Sequence, residues 1–370
     1  MPMANFHQAL QHKNRLSPVL LKRAGVMAVG VGYADPGKPA SGACVIVYTK
    51  KNIAAAEITS LKLAVTRATG AGANVPMRFV STGTFHGHAG PKAQSGAKPA
   101  VYGKRVRPVP GGVSIGKPDP AATGTAGLIV IKNNQLYILS NNHVLIKNNS
   151  TAYSETLQPG PADGGRTVID RVGRAYEFVR LRKDIANVVD AAIALPLSNS
   201  TLNPRYVINR NGALITVPGH LLSYRVGELF MKFGRTTEYV TGIVESNNVD
   251  VRVDYGGSLG VLLFRNQSVI RGTVPVSLPG DSGSVWLRAS DRYAAALNFA
   301  GTADGLRSIS NPIASVMSIF GLRVAIPAAD GKFAAGAVKG AAPQGNHAYV
   351  QPLTARQRAR LRAIRVRASR

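Results

Sequence analysis

A serine among small residues, a histidine closing an apolar run and a carboxylate inside a second apolar run can together make a hydroxyl into a nucleophile. The serine attacks, the imidazole takes its proton, and the acid fixes the imidazole's tautomer. This chain carries all three in order. His143 closes Leu139-Ser140-Asn141-Asn142-His143, Asp190 sits in Val188-Val189-Asp190-Ala191-Ala192-Ile193, and Ser282 lies within Gly280-Asp281-Ser282-Gly283-Ser284. The gaps of 47 and 92 residues are long enough to hold several strands each, so the three can converge from different loops. Asp190 is the only charge between Val188 and Leu197. A buried carboxylate is costly unless paired, and an imidazole is a suitable partner.

Each element has a plainer reading. Gly-Asp-Ser-Gly alone is a common β-turn sequence, and a lone histidine in an apolar run is more often a satisfied core residue. The ordered set of three favours chemistry over both. Asp184 is a rival for Asp190, but Arg182 and Lys183 beside it suggest a solvated turn. Gly256-Gly257-Ser258-Leu259-Gly260 fits G-x-S-x-G, yet strands flank it where a strand-to-helix elbow is required, and only His347 follows. His86-Gly87-His88 lacks nearby third and fourth metal ligands, so no metal site is expected. Gly30 and Gly32 lack the third glycine of a dinucleotide loop, and Trp286 reads as core.

The elements that must position these residues are short. The chain has 370 residues, 39 Gly and 22 Pro against 10 Phe and one Trp, and 45% hydrophobic content. That favours many short strands around a sizeable core. Cys44 is the only cysteine, so no intrachain disulfide can form, and with no clear signal peptide a cytoplasmic location is expected. Forty-five basic against 18 acidic residues give a net charge of +27, which predicts loose attraction to polyanions, though a solvated basic surface is the favoured reading. The apolar run at residues 24–33 is ten residues with three glycines, too short to span a membrane, and reads as a strand.

Residues 6–16 form a helix ended by Pro18 in this reading. Residues 26–33, 43–49 and 75–80 are strands and 53–69 a helix, which makes residues 1–82 a small α+β domain. Residues 83–110, rich in Gly, Ala, Pro and Lys, read as a linker or an extended segment lying on the next domain. Residues 127–131 and 136–140 make a hairpin about Lys132-Asn133-Asn134-Gln135, and residues 239–244 and 249–255 a second about Ser246-Asn247-Asn248. More strands follow at 261–264, 274–278, 285–287 and 294–299. Residues 326–370 are a basic tail in which Thr354 caps a helix with Leu361 and Ile364 on one face.

The order His143, Asp190, Ser282 resembles the chymotrypsin/trypsin-like serine peptidase family over residues 111–325. Gln158-Pro159-Gly160, Asp163-Gly164-Gly165, Gly234-Arg235-Thr236-Thr237 and Asn311-Pro312-Ile313 look like elements of its disulfide-free bacterial members. The resemblance implies a mainly β, two-barrel antiparallel fold. It implies Ser282 as nucleophile, His143 as base, Asp190 as orienter and the N–H groups of Gly280 and Ser282 as oxyanion hole. It also places Val276 and Asn298, Phe299, Ala300 and Gly301 at the specificity pocket, an apolar floor that disfavours Lys or Arg before the scissile bond. Two departures stand out. Val144 replaces the cysteine often found after the histidine, and no Ile-Val-Gly-Gly start occurs near Gly127-Leu128-Ile129-Val130. Asp281 therefore needs a partner other than a freed N-terminus.

The expectation is a serine endopeptidase acting on protein or peptide substrates without a cofactor. Its N-terminal domain would serve a regulatory or prosegment-like role. The rivals are a catalytically silent binding module and a basic nucleic-acid-associated protein, the latter without any recognised nucleic-acid motif.

Overall fold

The computed structural model describes residues 3–51, 53–69, 75–87, 101–209, 211–329, 331–340 and 349–368. The fold is mainly β. In the C-terminal half, strands Leu229–Gly234, Val285–Arg288, Ala294–Thr302, Arg307–Pro312, Val261–Arg271 and Glu238–Asp254 pair in that order, and the last pairs back onto the first. Every pairing is antiparallel, so the six strands close into a barrel. Phe230, Val244, Ile270, Trp286 and Ala296 are among the buried side chains packed in it.

The preceding half is a second sheet, running Ile129–Lys132, Gln135–Ser140, Ala192–Pro196, Arg171–Phe178, Glu155–Leu157, Ser114–Gly116 and Thr123–Thr125. Its core includes Val113, Ile115, Leu139, Val172, Phe178 and Ile193. Polar ties join the halves. The Thr125 N–H donates to the Ser282 carbonyl at 2.7 Å, and the Tyr206 hydroxyl donates to the Phe233 carbonyl at 2.9 Å. The hairpin about Asn133 and Asn134 has both residues at positive φ (50° and 60°), the geometry of a tight two-residue turn.

Several expectations give way. No hairpin interrupts residues 239–255. Glu238–Asp254 is one 17-residue strand, and register shifts between Val244 and Val251 absorb the Ser246-Asn247-Asn248 turn signal. Asn247 is buried and accepts from the Ser268 hydroxyl, so its polarity is spent on tertiary contacts. This strand's far half is where the N-terminal strands attach: Val26–Tyr33 pairs with it antiparallel, Ala43–Thr49 follows, then Met77–Ser81. The strands expected to form a unit of their own in residues 1–82 thus extend the barrel's sheet. Lys13 and Ser17, 2.8 and 2.6 Å from Asp250, tie the first helix to the same strand.

That helix is Phe6–Leu20 and continues past Pro18, because a proline in the last turn forfeits one hydrogen bond while Leu16 and Leu20 still bury against Val29, Val45 and Val47. Within residues 83–110, Phe85–Gly87 is a strand and Val109–Gly111 pairs with Leu202–Val207, so both ends of the expected linker are woven into the fold. Residues 274–278 are not a strand; the Val276 and Ser277 N–H groups donate to the Gly305 carbonyl instead. In the tail, Thr354 caps Ala355–Arg360, but the helix stops before Leu361, and Ile364–Arg365 pairs with Arg171–Phe178. Arg365 lies 4.3 Å from the Tyr176 ring and 3.2 Å from Glu177.

Candidate active site

His143 lies in a single helical turn, Asn142–Leu145, directly after strand Gln135–Ser140. Asp190 precedes strand Ala192–Pro196, and pairing of Ala192 with Ser140 brings the two residues together. His143 Nδ1 is 2.6 Å from Asp190 Oδ2. The Asn142 N–H donates to Asp190 Oδ1 at 2.7 Å and the Tyr255 hydroxyl to Oδ2 at 2.6 Å. Asn311 Oδ1 accepts the Asp190 N–H at 3.0 Å, and Asn141 donates to the Asp190 carbonyl at 2.7 Å. The carboxylate is fully buried, so the Asn142 N–H, the Tyr255 hydroxyl and His143 are what make its charge tolerable. They also assign the Nδ1–H tautomer to His143 and leave Nε2 as an acceptor. Nε2 is buried and has no hydrogen-bond partner among the described residues.

Ser282 arrives from the other half, on the turn before strand Val285–Arg288. Gly283 takes φ of 94°, and a Cβ there would fall 2.1 Å from the Thr125 carbonyl, so the turn admits only glycine at that position. A Cβ on Gly124 would lie 2.6 Å from Val144 and 2.7 Å from the Ser282 carbonyl, which puts the Ser282 backbone within one small residue of His143's neighbour. The Ser282 hydroxyl is not hydrogen-bonded to His143; it donates to the Phe299 carbonyl at 3.4 Å. Asp281, Gly283 and Ser284 spend their N–H groups on Leu278, Asn298 and Asp281 carbonyls. Those of Gly280 and Ser282 have no acceptor among the described residues.

Asp281 has its partner within the chain. Its Oδ1 accepts from the Thr236 and Thr237 N–H groups at 3.0 Å each, Oδ2 accepts from Leu278 N–H at 2.9 Å, and Lys232 Nζ stands 3.9 Å away. Both side chains are fully buried. Burial lowers the Lys232 pKa and the Asp281 charge opposes that. Its ammonium also donates to the Thr237 hydroxyl at 2.9 Å and lies 5.4 Å from the Trp286 ring.

Lys117 is another buried group that sequence reasoning passed over. Its ammonium donates to the His143 carbonyl at 2.7 Å, and burial brings its pKa down to about 8. Tyr255, too, carried no motif. Lys232 did carry a signal: it is a lone charge in the apolar strand Leu229–Gly234, the same cue that singled out Asp190.

Asp184 is exposed and pairs with Arg182. The expected pocket residues are all buried. Val276 is buried in the same core cluster as Trp286, and the Phe299 ring lies tilted against that of Phe264, 4.8 Å between centroids. Asn298 Oδ1 accepts from the Ser277 and Ser308 hydroxyls, and its amide donates to the Asp281 carbonyl, so it braces the nucleophile turn. Ala300 and Gly301 pair with Gly87 and His86. Gly256–Gly260 is a turn between two strands. His86 is exposed, while His88 and His347 lie outside the described residues. Among the described residues no cluster of three or more His, Cys, Asp or Glu side chains could hold a metal, and no helix is long and apolar enough to cross a membrane.

No protein-family model and no curated protein matches the chain. Solved structures do. Thermobifida fusca protease A is 19% identical, with 62% of this chain and 99% of that one covered at a TM-score of 0.43. Nocardiopsis protease is 17% identical over 58% and 98%, TM-score 0.43. Cellulomonas bogoriensis chymotrypsin is 19% identical over 58% and 97%, TM-score 0.42. The chain is thus similar in structure to bacterial chymotrypsin-like serine proteases.

Proposed function

We propose that this chain is a serine endopeptidase that works through an acyl-enzyme on Ser282. The observation that carries the reading is the His143–Asp190 pair: Nδ1 held at 2.6 Å by a fully buried carboxylate and Nε2 buried without a partner among the described residues, with the Ser282 carbonyl one small residue from the side chain of Val144, His143's neighbour. A rotation about the Ser282 Cα–Cβ bond takes the hydroxyl from the Phe299 carbonyl toward Nε2. Oγ then attacks a peptide carbonyl carbon as its proton passes to Nε2. The oxyanion that forms is received by the Gly280 and Ser282 N–H groups. His143 returns the proton to the departing amine nitrogen, and a water activated by the same Nε2 hydrolyses the acyl-enzyme. Asp190 stabilises the imidazolium at each stage.

The substrate is an extended protein or peptide segment. With Val276 apolar, the residue before the scissile bond is small or apolar. Digestion of an unfolded protein, with the cut sites mapped by mass spectrometry, tests both parts. Cleavage by the native chain that is absent from Ser282→Ala and His143→Ala supports the activity, and equal cleavage by Ser282→Ala contradicts it. Strict cutting after Arg or Lys contradicts the side-chain preference.

A further inference from the structure

The chain's own strand Phe85–Gly87 runs through the candidate site. It lies between two barrel strands, parallel to Glu238–Asp254 and antiparallel to Ala294–Thr302. Its register is Phe85 to Thr302, His86 to Gly301 and Gly87 to Ala300. The chain therefore advances toward Phe299, the residue whose carbonyl receives the Ser282 hydroxyl. A Cβ on Gly87 would fall 2.7 Å from the Tyr255 ring, and the Tyr255 hydroxyl is on Asp190. The Tyr255 ring also meets that of His143 edge-on, 5.7 Å between centroids. Phe85 is fully buried, edge-on to Tyr48 at 6.0 Å, whereas His86 points outward and is exposed. Ser282 is fully buried.

An extended peptide brought to Ser282 recovers its backbone hydrogen bonds most simply by adding as a strand to the edge next to the nucleophile. That edge runs from Phe299 into Ala300–Thr302, and in this chain Ala300–Thr302 is taken. We propose that Phe85–Gly87 is a tethered occupant of the peptide-binding edge, which keeps the intact chain latent and displays the kind of peptide the edge accepts. The peptide is extended, with a small residue against Tyr255, an aromatic residue two positions earlier and any residue between them. This rests on the serine endopeptidase reading of the site, and it gives the strands of residues 26–81 a purpose: they anchor the occupant to the barrel.

His86→Pro tests it. Proline removes one N–H from a strand paired on both sides, and the exposed imidazole has no packing to lose. Gly87→Ala reaches the same end by another route, since its methyl group meets the Tyr255 ring, and it serves where the proline variant fails to fold. Each is compared with the native chain by fluorophosphonate labelling of Ser282 and by turnover of an unbiased peptide library. A variant that labels and turns over the library at least tenfold faster than the native chain supports the proposal. The acetylated, amidated peptide of residues 82–87, Thr-Gly-Thr-Phe-His-Gly, should then inhibit it competitively. A folded variant that labels but is no faster than the native chain overturns the occupant and leaves the endopeptidase standing. Absence of labelling in the native chain and both variants removes the endopeptidase reading and the occupant together.

Discussion

Lys232→Met isolates what holds the nucleophile turn. The substitution keeps the length and apolar stem of the lysine and deletes the charge facing Asp281. At 3.9 Å and an effective dielectric near 20, the lost attraction is about 4 kcal/mol. Methionine also escapes the desolvation that lysine suffers there, which returns part of that sum. The three backbone N–H donors on Asp281 remain. Breaking a buried pair from one side costs roughly 3–5 kcal/mol, and the long separation puts this one near 3 kcal/mol. Urea unfolding should show that loss, with the chain still folded in water. The turn carrying the Gly280 and Ser282 N–H groups loosens with it, so fluorophosphonate labelling slows by about 100-fold, comparable to losing one oxyanion donor. In an Asp281→Asn background, where there is no charge to neutralise, the same lysine substitution should cost about 2 kcal/mol less. Lys232→Met unfolding within 0.5 kcal/mol of native (about the additivity error of such cycles) and labelling at the native rate would refute the argument.

Three more outcomes follow from buried groups. Lys117 is protonated in both states at pH 7, but above about pH 8 the folded chain sheds its proton while the unfolded chain holds it up to the ordinary lysine value near 10.5. Native stability relative to Lys117→Met should therefore rise through that window by about 3 kcal/mol in unfolding series at stepped pH. His220, with burial bringing its pKa down to about 4, behaves with the same sign in a lower window. Its contribution is complete above pH 6.5 and is lost as pH falls toward 4, about 3 kcal/mol that His220→Leu should not lose on acid unfolding. Tyr255→Phe deletes one of the donors on Asp190 and leaves Asn142 and His143 in place. It should cost about 1–2 kcal/mol in stability, read by urea unfolding against the native chain.

What could be seen in the sequence and what could not divide along a physical line. Asp190 announced itself as a charge in an apolar run, and Asn133-Asn134 as a turn between alternating strands, because both signals are local. Lys232 bore the same local signal as Asp190 but belonged to no pattern of three. The continuity of Glu238–Asp254 was hidden because Ser246-Asn247-Asn248 has turn composition, and only distant partners such as Ser268 use its polar groups. The attachment of Val26–Tyr33 to the barrel pairs Ala28 with Val251, and no window of sequence contains both. Tyr255 looked like the end of an alternating strand; its hydroxyl's approach to Asp190 is a property of the folded chain alone.

The central claim is that Ser282 is an activated nucleophile served by His143. The most direct measurement is fluorophosphonate labelling followed by peptide mapping of the adduct, on the native chain, Ser282→Ala and His143→Ala, with labelling under partial release of residues 85–87 as the most permissive condition. The claim predicts a single adduct on Ser282 that vanishes in Ser282→Ala and is slowed at least 1000-fold in His143→Ala. An adduct elsewhere, or one on Ser282 whose rate ignores the loss of His143, would contradict it.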